Sequence, residues 1–402
     1  MTRARMLCLI ALFPLFFTPA CDDAGDGTTG AKYDPATLAE YRAALPSSDT
    51  LHAPALGTAG AGGGLGVLAL PLVGDPAVYP ALANPVVQGV NGAVGSIIGV
   101  LDLFGQVEPT LYDSEKKEFY WGPYENEDGV GYNAFAIHDN GTADDFRFGY
   151  VWARGADRDL ANAAAVVWGG ATPDPNNKDY GTGATLWDFE ANYAFEEAHH
   201  PGHGALDRGR FVAVYGRGPD DTNADAVVTF VLSAFRNFVP SDNPAATPGN
   251  LDYFYGEVVA PEHTFHFLNF AGEIDIDDGD GDPATETPSA AELLDIRMVF
   301  IDEGVGRAEV MATGGDFASN PDADALVVVE CWDASIGRTY LRMTALNATG
   351  GEAWVHEEGA ETDCGALFQV PLAELGVPFL EDVDPQLRAE LDAIATNGVP
   401  SE

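Results

Sequence analysis

Basic residues are scarce in this chain. Its 402 residues hold 19 Lys and Arg against 63 Asp and Glu, a formal net charge of −44. Only four lysines occur, Lys32, Lys116, Lys117 and Lys178. Such a field repels phosphate backbones, which argues against nucleic acid as a partner. It also leaves no basic face for anionic lipid. Cations are its natural small partners, although acidity also serves solubility in a salty medium, where salt screens self-repulsion. Catalytic signatures are missing too: there is no Gly-x-Ser-x-Gly elbow, Walker loop, dinucleotide fingerprint or His-Glu-x-x-His helix. Beyond the N-terminus no run reads as a membrane span. The best candidate, 86–104, is interrupted by Gln88, Asn91, Ser96 and Asp102 and holds four glycines. Cysteine is limited to Cys8, Cys21, Cys331 and Cys364.

What is present starts at the N-terminus. Arg3 and Arg5 precede an apolar run, 6–17, and Thr18-Pro19-Ala20 leads to Cys21 and two aspartates. This pattern predicts a secretory signal over 1–20. A cysteine followed by an acidic, glycine-rich stretch predicts a lipid anchor at Cys21 with a tether behind it, and so a membrane partner. Thr18 and Ala20 also satisfy an ordinary small-x-small cleavage site, so plain secretion is the alternative. The expected location is extracytoplasmic, in the bacterial envelope, with the outer membrane favoured over the inner. Cys8 leaves with the signal and Cys21 is used at the anchor. Cys331 and Cys364 are then expected to pair in an oxidising compartment, the alternative being two free thiols.

With 46% hydrophobic residues the chain can bury a large core. The segments read as signal (1–20), tether with a short helix (21–50), glycine-rich connector and apolar helix (51–106), β region (107–371) and C-terminal helical segment (372–402). Pro35 opens a helix over 36–45. Asn84-Pro85 reads as the start of a longer helix reaching Phe104, with Val87, Val90, Val94, Ile97 and Leu101 along one stripe. From about Pro109 the hydrophobic period becomes two. Strands are predicted over 117–124, 131–138, 146–154, 162–168, 183–195, 209–215, 224–235, 252–259, 263–273, 295–301, 306–312, 325–332, 339–345 and 353–356. No long helical pattern interrupts them, which argues against a parallel β-α-β sheet. The expected fold is mainly β: a large antiparallel meander curled into a barrel or half-barrel, with the long N-terminal helix packed on it. A short C-terminal helix opening at Pro385, with Leu387, Leu391 and Ile394 on one face, packs there too.

Gly304-Val305-Gly306-Arg307-Ala308, Glu330-Cys331-Trp332-Asp333 and Asp363-Cys364 resemble segments of uncharacterised acidic lipoproteins from myxobacteria. The resemblance covers mainly the last hundred residues and the signal. It implies export and the disulfide, and it implies no activity.

Two constellations could carry function. Phe146, Phe148, Tyr150 and Trp152 alternate with smaller or polar residues, so period two places them on one strand face. That face suits a packed core, an apolar cavity for a lipid-like ligand between sheet and helix, or a stacking platform for sugar. Asp275, Asp277, Asp278, Asp280 and Asp282, flanked by Glu273 and Glu286, suggest calcium, which takes oxygen ligands at alternate positions. Pro283 and Ser289 replace the EF-hand glycine and glutamate, so the alternative is a solvated loop. His199, His200 and His203 invite zinc, but Pro201-Gly202 breaks the helix that would align them. The expected function is non-catalytic: an extracytoplasmic lipoprotein binding an apolar ligand. The alternative is a structural surface protein with cation-stabilised loops, and a glycan hydrolase built on two facing carboxylates comes third.

Overall fold

The computed structural model describes residues 33–54, 72–274 and 292–398, without 127–129, 142–145, 161–162, 178, 201, 221–222, 224, 316, 318–322, 378–379 and 381–384. The signal, Cys21, the tether, most of the glycine-rich connector, and Asp275, Asp277, Asp278, Asp280 and Asp282 lie outside the described residues.

Period-two patterning from residue 111 onward builds fifteen strands. They are β1 (Leu111–Asp113), β2 (Glu118–Glu125), β3 (Tyr132–Asp139), β4 (Phe148–Gly155), β5 (Ala164–Pro173), β6 (Gly181–Asp188), β7 (Arg208–Pro219) and β8 (Val227–Val239). They continue as β9 (Gly249–Val259), β10 (Thr264–Ile274), β11 (Glu292–Ile301), β12 (Gly306–Gly314), β13 (Ala325–Trp332), β14 (Arg338–Leu346) and β15 (Glu352–Glu358). Each pairs antiparallel with its neighbours in sequence, so the sheet is a pure meander. It does not close: β1 and β15 are its two edges.

Among the described residues five α-helices accompany it: α1 (Pro35–Arg42), α2 (Ser48–Leu51), α3 (Val78–Gln106), α4 (Phe189–His199) and α5 (Pro385–Asn397). The sheet is strongly curled, and α3 shows why. Twenty-nine residues give it a length of about 43 Å. Its N-terminus is held by Glu330 of β13, and near its C-terminus Phe104 stacks on Phe135 of β3 at 4.6 Å. In a flat sheet β3 and β13 would stand about 48 Å apart. One helix reaches both sides because the sheet bends round it.

The principal core lies on the concave face. Val87, Val90, Val94, Ile97 and Leu101 of α3 are buried there with Leu38 and Tyr41 of α1 and Leu51 of α2. Strand alternation sends every second residue to the other side. On β12, Ala308, Val310 and Ala312 join the concave core. Arg307 and Glu309 lie on the convex face. That face is covered in two places. Leu387, Leu391 and Ile394 of α5 pack on β6–β8 residues such as Leu186, Val212 and Leu232. Phe368, Leu372 and Val377 pack on Val299, Ile301 and Tyr340.

Three expectations are corrected. Helix α3 begins at Val78 rather than at Asn84-Pro85, and Pro85 lies inside it. The N-cap residue, Ala77, supplies no side-chain bond. The donors are instead taken by Glu330, whose two carboxylate oxygens accept from Val78 N at 3.0 and 2.9 Å, one of them also from Tyr79 N at 2.9 Å. Such a cap comes from a residue 252 positions away and leaves no local signature. Pro85 and Ala81, whose carbonyl loses its i+4 donor to the proline, are on the exposed side. The predicted strand 183–195 stops at Asp188, whose side chain accepts from Ala191 N at 2.9 Å and caps α4. The alternation Trp187-Asp188-Phe189 concealed that cap. The three-residue edge strand β1 was not expected. By length and composition alone α3 could cross a bilayer, but its apolar stripe is buried against the sheet.

Candidate functional site

The concave face is where the predicted aromatic residues gather. Phe148 and Tyr150 of β4 are buried in its core, and Trp152 lies half-buried beside them. Tyr41 of α1 packs on Phe148 with ring centres 4.8 Å apart and on Phe119 at 4.9 Å, while its hydroxyl donates to Lys117 O at 2.9 Å. Trp152 meets Trp187 edge to face at 6.1 Å. These rings are therefore in contact with the protein's own helices and strands.

Phe146 does not share this face. It precedes β4, beyond the bend at Arg147, and packs with the convex cluster beneath α5. Neighbouring glycines of β5 show the separation. A Cβ at Gly170 would meet Phe146 at 2.8 Å, whereas one at Gly169 would meet the Tyr150 hydroxyl at 2.3 Å. Gly183 gives Tyr215 the same clearance. Both tyrosine rings lie flat over a neighbouring strand, which only glycine permits.

A polar band crosses the middle of the concave face. Tyr150, Thr185, Tyr215, Tyr253 and Tyr255 are all buried. The Tyr150 hydroxyl donates to Ala184 O at 3.5 Å. Burial pushes the phenols of Tyr150, Tyr215, Tyr253 and Tyr255 well above their ordinary range. At the end of the band, buried His266 holds Asp302 through Nε2 at 2.7 Å and meets the Tyr255 hydroxyl through Nδ1 at 3.3 Å. Tyr255 in turn donates to Glu257 at 3.2 Å. The order Asp302, His266, Tyr255 resembles a relay, but a phenol driven away from ionisation is a poor nucleophile. Asp302 is held below its ordinary value chiefly by the His266 hydrogen bond. His263 reaches Glu303 of the same turn at 3.4 Å, so the two histidines leave opposite strand faces and meet adjacent acids.

The sequence reading missed the buried charges. Glu330 and Arg338 pair at 2.7 Å with almost no exposure. Arg338 also donates to Leu72 O and Pro76 O, tying the chain before α3 to β14. On the convex face Glu309 bridges Arg297 at 2.6 Å and Arg307 at 2.9 Å. Those groups hold the C-terminal segment: Leu372 N donates to Glu309, Arg307 to Phe368 O and Arg297 to Val377 O. A signal existed. Glu330 interrupts Val327-Val328-Val329 and is followed by Cys331-Trp332, so a charge sat in a buried strand without a local partner.

Cys331 and Cys364 form a disulfide, Cα atoms 5.2 Å apart, fastening β13 to the 3-10 turn Glu361–Cys364. On α4, Glu196 binds Arg154 at 2.5 Å and His200 at 3.2 Å, and His203 turns to Glu197. Among the described residues no group of three or more His, Cys, Asp or Glu is placed to hold a metal ion. No protein family, curated protein or solved structure matches this chain.

Proposed function

We propose that this protein is a non-catalytic extracytoplasmic lipoprotein, anchored through Cys21, that serves as a scaffold in the bacterial envelope. One observation carries the reading. The long helix α3 lies in the open sheet and is fastened at both ends by side chains from the sheet. Glu330 and Arg338 hold its start, and Phe135, with the Trp121 indole N–H donating to Val107 O at 2.8 Å, holds its end. The concave aromatic face is thereby used in internal packing, and contacts with other molecules fall to edges and loops. The acidic surface and the signal-like N-terminus agree with an exported, soluble body on a tether. The resemblance to acidic myxobacterial lipoproteins points the same way. Calcium bound by Asp275, Asp277, Asp278, Asp280 and Asp282 would stiffen one loop of such a scaffold.

A second reading keeps an apolar ligand between sheet and helix. It is favoured by the Tyr253 hydroxyl and the Trp187 indole N–H, which are buried without a hydrogen-bond partner on the concave side. Native mass spectrometry of the mature protein, purified gently from its host with and without calcium, separates the readings. A diacylated Cys21 and an otherwise bare mass agree with the scaffold. A co-purifying lipid-sized mass replaces it with the carrier, and an unacylated N-terminus removes the anchor.

A further inference from the structure

The two edges of the sheet are unlike. β1 has three residues, whereas β15 has seven, and among the described residues β15 pairs only with β14. Edge strands are commonly shielded by charge, by proline, by bulges or by a very short length. β15 reads Glu352-Ala-Trp-Val-His-Glu-Glu358, with no proline, and its shielding is of one sign, three glutamates beside one register irregularity against β14, which bars acidic strands and admits basic ones. Its Trp354 is 46% exposed and Val355 39%, on opposite faces of the strand. The apolar surface continues past its end, where half-exposed Val73 lies against Gly359.

Charge decides what can pair there. Arg342 of β14 binds Glu352 at 2.8 Å and stands 4.0 Å from Glu357, which also accepts from the Tyr340 hydroxyl at 2.9 Å. Glu358 has only His356, at 3.9 Å. Three acids against one guanidinium leave the edge negative. A second copy paired antiparallel about Val355 would set Glu352 opposite Glu358, and like charges directly opposite destabilise a strand pair. The net charge of −44 on each copy adds to that repulsion.

We propose that the edge of β15 left unpaired among the described residues takes an extended segment of another protein, with Lys or Arg opposite its terminal glutamates and an apolar residue over Trp354. This deepens the scaffold reading by naming the partner's chemistry. Backbone hydrogen bonds to the edge give affinity, while the glutamates select the partner and speed its approach.

The test uses the mature protein and a fluorescent seven-residue peptide with lysine at both ends and valine at the interior positions, with a counterpart that has glutamate at both ends. Binding is followed by anisotropy, and the contact is located by hydrogen exchange. The lysine peptide is expected to protect the amides of 352–358 and to bind more weakly as salt rises. The double variant E352K/E358K is expected to bind it at least about tenfold more weakly and to prefer the glutamate peptide. Glu352 is exposed and Glu358 half-buried, and an unchanged melting temperature confirms that the variant folds. Equal binding of both peptides, protection elsewhere, or no binding at millimolar peptide overturns the proposal. So does a dimer that protects β15 without peptide. None of these readouts depends on the anchor, so failure at the edge is distinguishable from failure of the lipoprotein reading.

Discussion

The two halves of the sheet are stabilised by different chemistry. From β2 to β7 the concave face is aromatic: Phe119, Trp121, Phe135, Phe148, Tyr150 and Phe211 are buried together, with glycines admitting the tyrosine rings. From β11 to β14 the sheet buries charge: Arg297, Arg307, Glu309, Glu330 and Arg338. Aromatic packing is a sum of many small contacts, so losing one group costs only that group's share. Buried ion pairs are conditional, because removing one partner leaves the other charged in a low-dielectric interior. The aromatic half should therefore yield gradually and the charged half abruptly.

The largest expected effect comes from breaking the charged half. Glu330→Gln leaves Arg338 uncompensated and weakens the α3 cap, and we expect a loss of about 3–5 kcal/mol in urea unfolding. Adding Arg338→Met should recover part of that loss, since no stranded charge remains. If the single variant costs no more than a hydroxyl deletion in the aromatic half, the contrast is lost. Next is the disulfide. Replacing Cys331 and Cys364 together by serine releases a loop spanning 33 positions, with an expected cost of about 3–4 kcal/mol from chain entropy, seen as a lower melting temperature.

In the aromatic half, Tyr150→Phe removes one hydroxyl from the polar band and should cost about 1 kcal/mol in the same assay. The phenols of the polar band, which runs on into β9, also set an alkaline limit. Tyr150, Tyr215, Tyr253 and Tyr255 are raised by burial, so their stabilisation is complete below the ordinary tyrosine value of about 10 and is lost as pH climbs through the folded values. Phenolate absorbance should then rise together with the loss of far-ultraviolet ellipticity. Titration of these tyrosines in the intact fold would contradict their burial. The smallest effect belongs to Asp302. Its folded value is depressed, so its contribution is present above the ordinary carboxylate range and is lost as pH falls below it. The side chain is largely exposed, so Asp302→Asn should mainly flatten the acid limb of the stability profile.

Much of the fold was legible in the chain. Fourteen predicted stretches overlap β2 to β15, because period two survives wherever one sheet face is buried and the other partly wet. The α5 stripe and the stripe of α3 were readable for the corresponding reason at period 3.6. The start of α3 was not, since its cap is Glu330, brought near only by the meander. The aromatic set was readable for Phe148, Tyr150 and Trp152, which share one regular strand. It failed for Phe146, where a bend before the strand ended the alternation. The buried arginines looked like ordinary charged residues, because nothing local shows that they are covered: Arg307 meets Glu309 on its own strand, Arg297 and Arg338 meet acids on neighbouring strands, and the C-terminal segment closes over Arg297 and Arg307.

The sequence by itself determined the class of the protein: acidic, with one cysteine pair, alternating strands and an apolar helix, all properties of composition and short-range periodicity. Only the tertiary structure decided the rest. It left the sheet open, filled the concave face with α1 to α3, and joined Glu330 to Arg338 and Glu309 to its two arginines. The ion pairs themselves are short in sequence, but their seating under α3 and the C-terminal segment depends on distances between residues far apart in the chain, and such distances exist only once the sheet has curled.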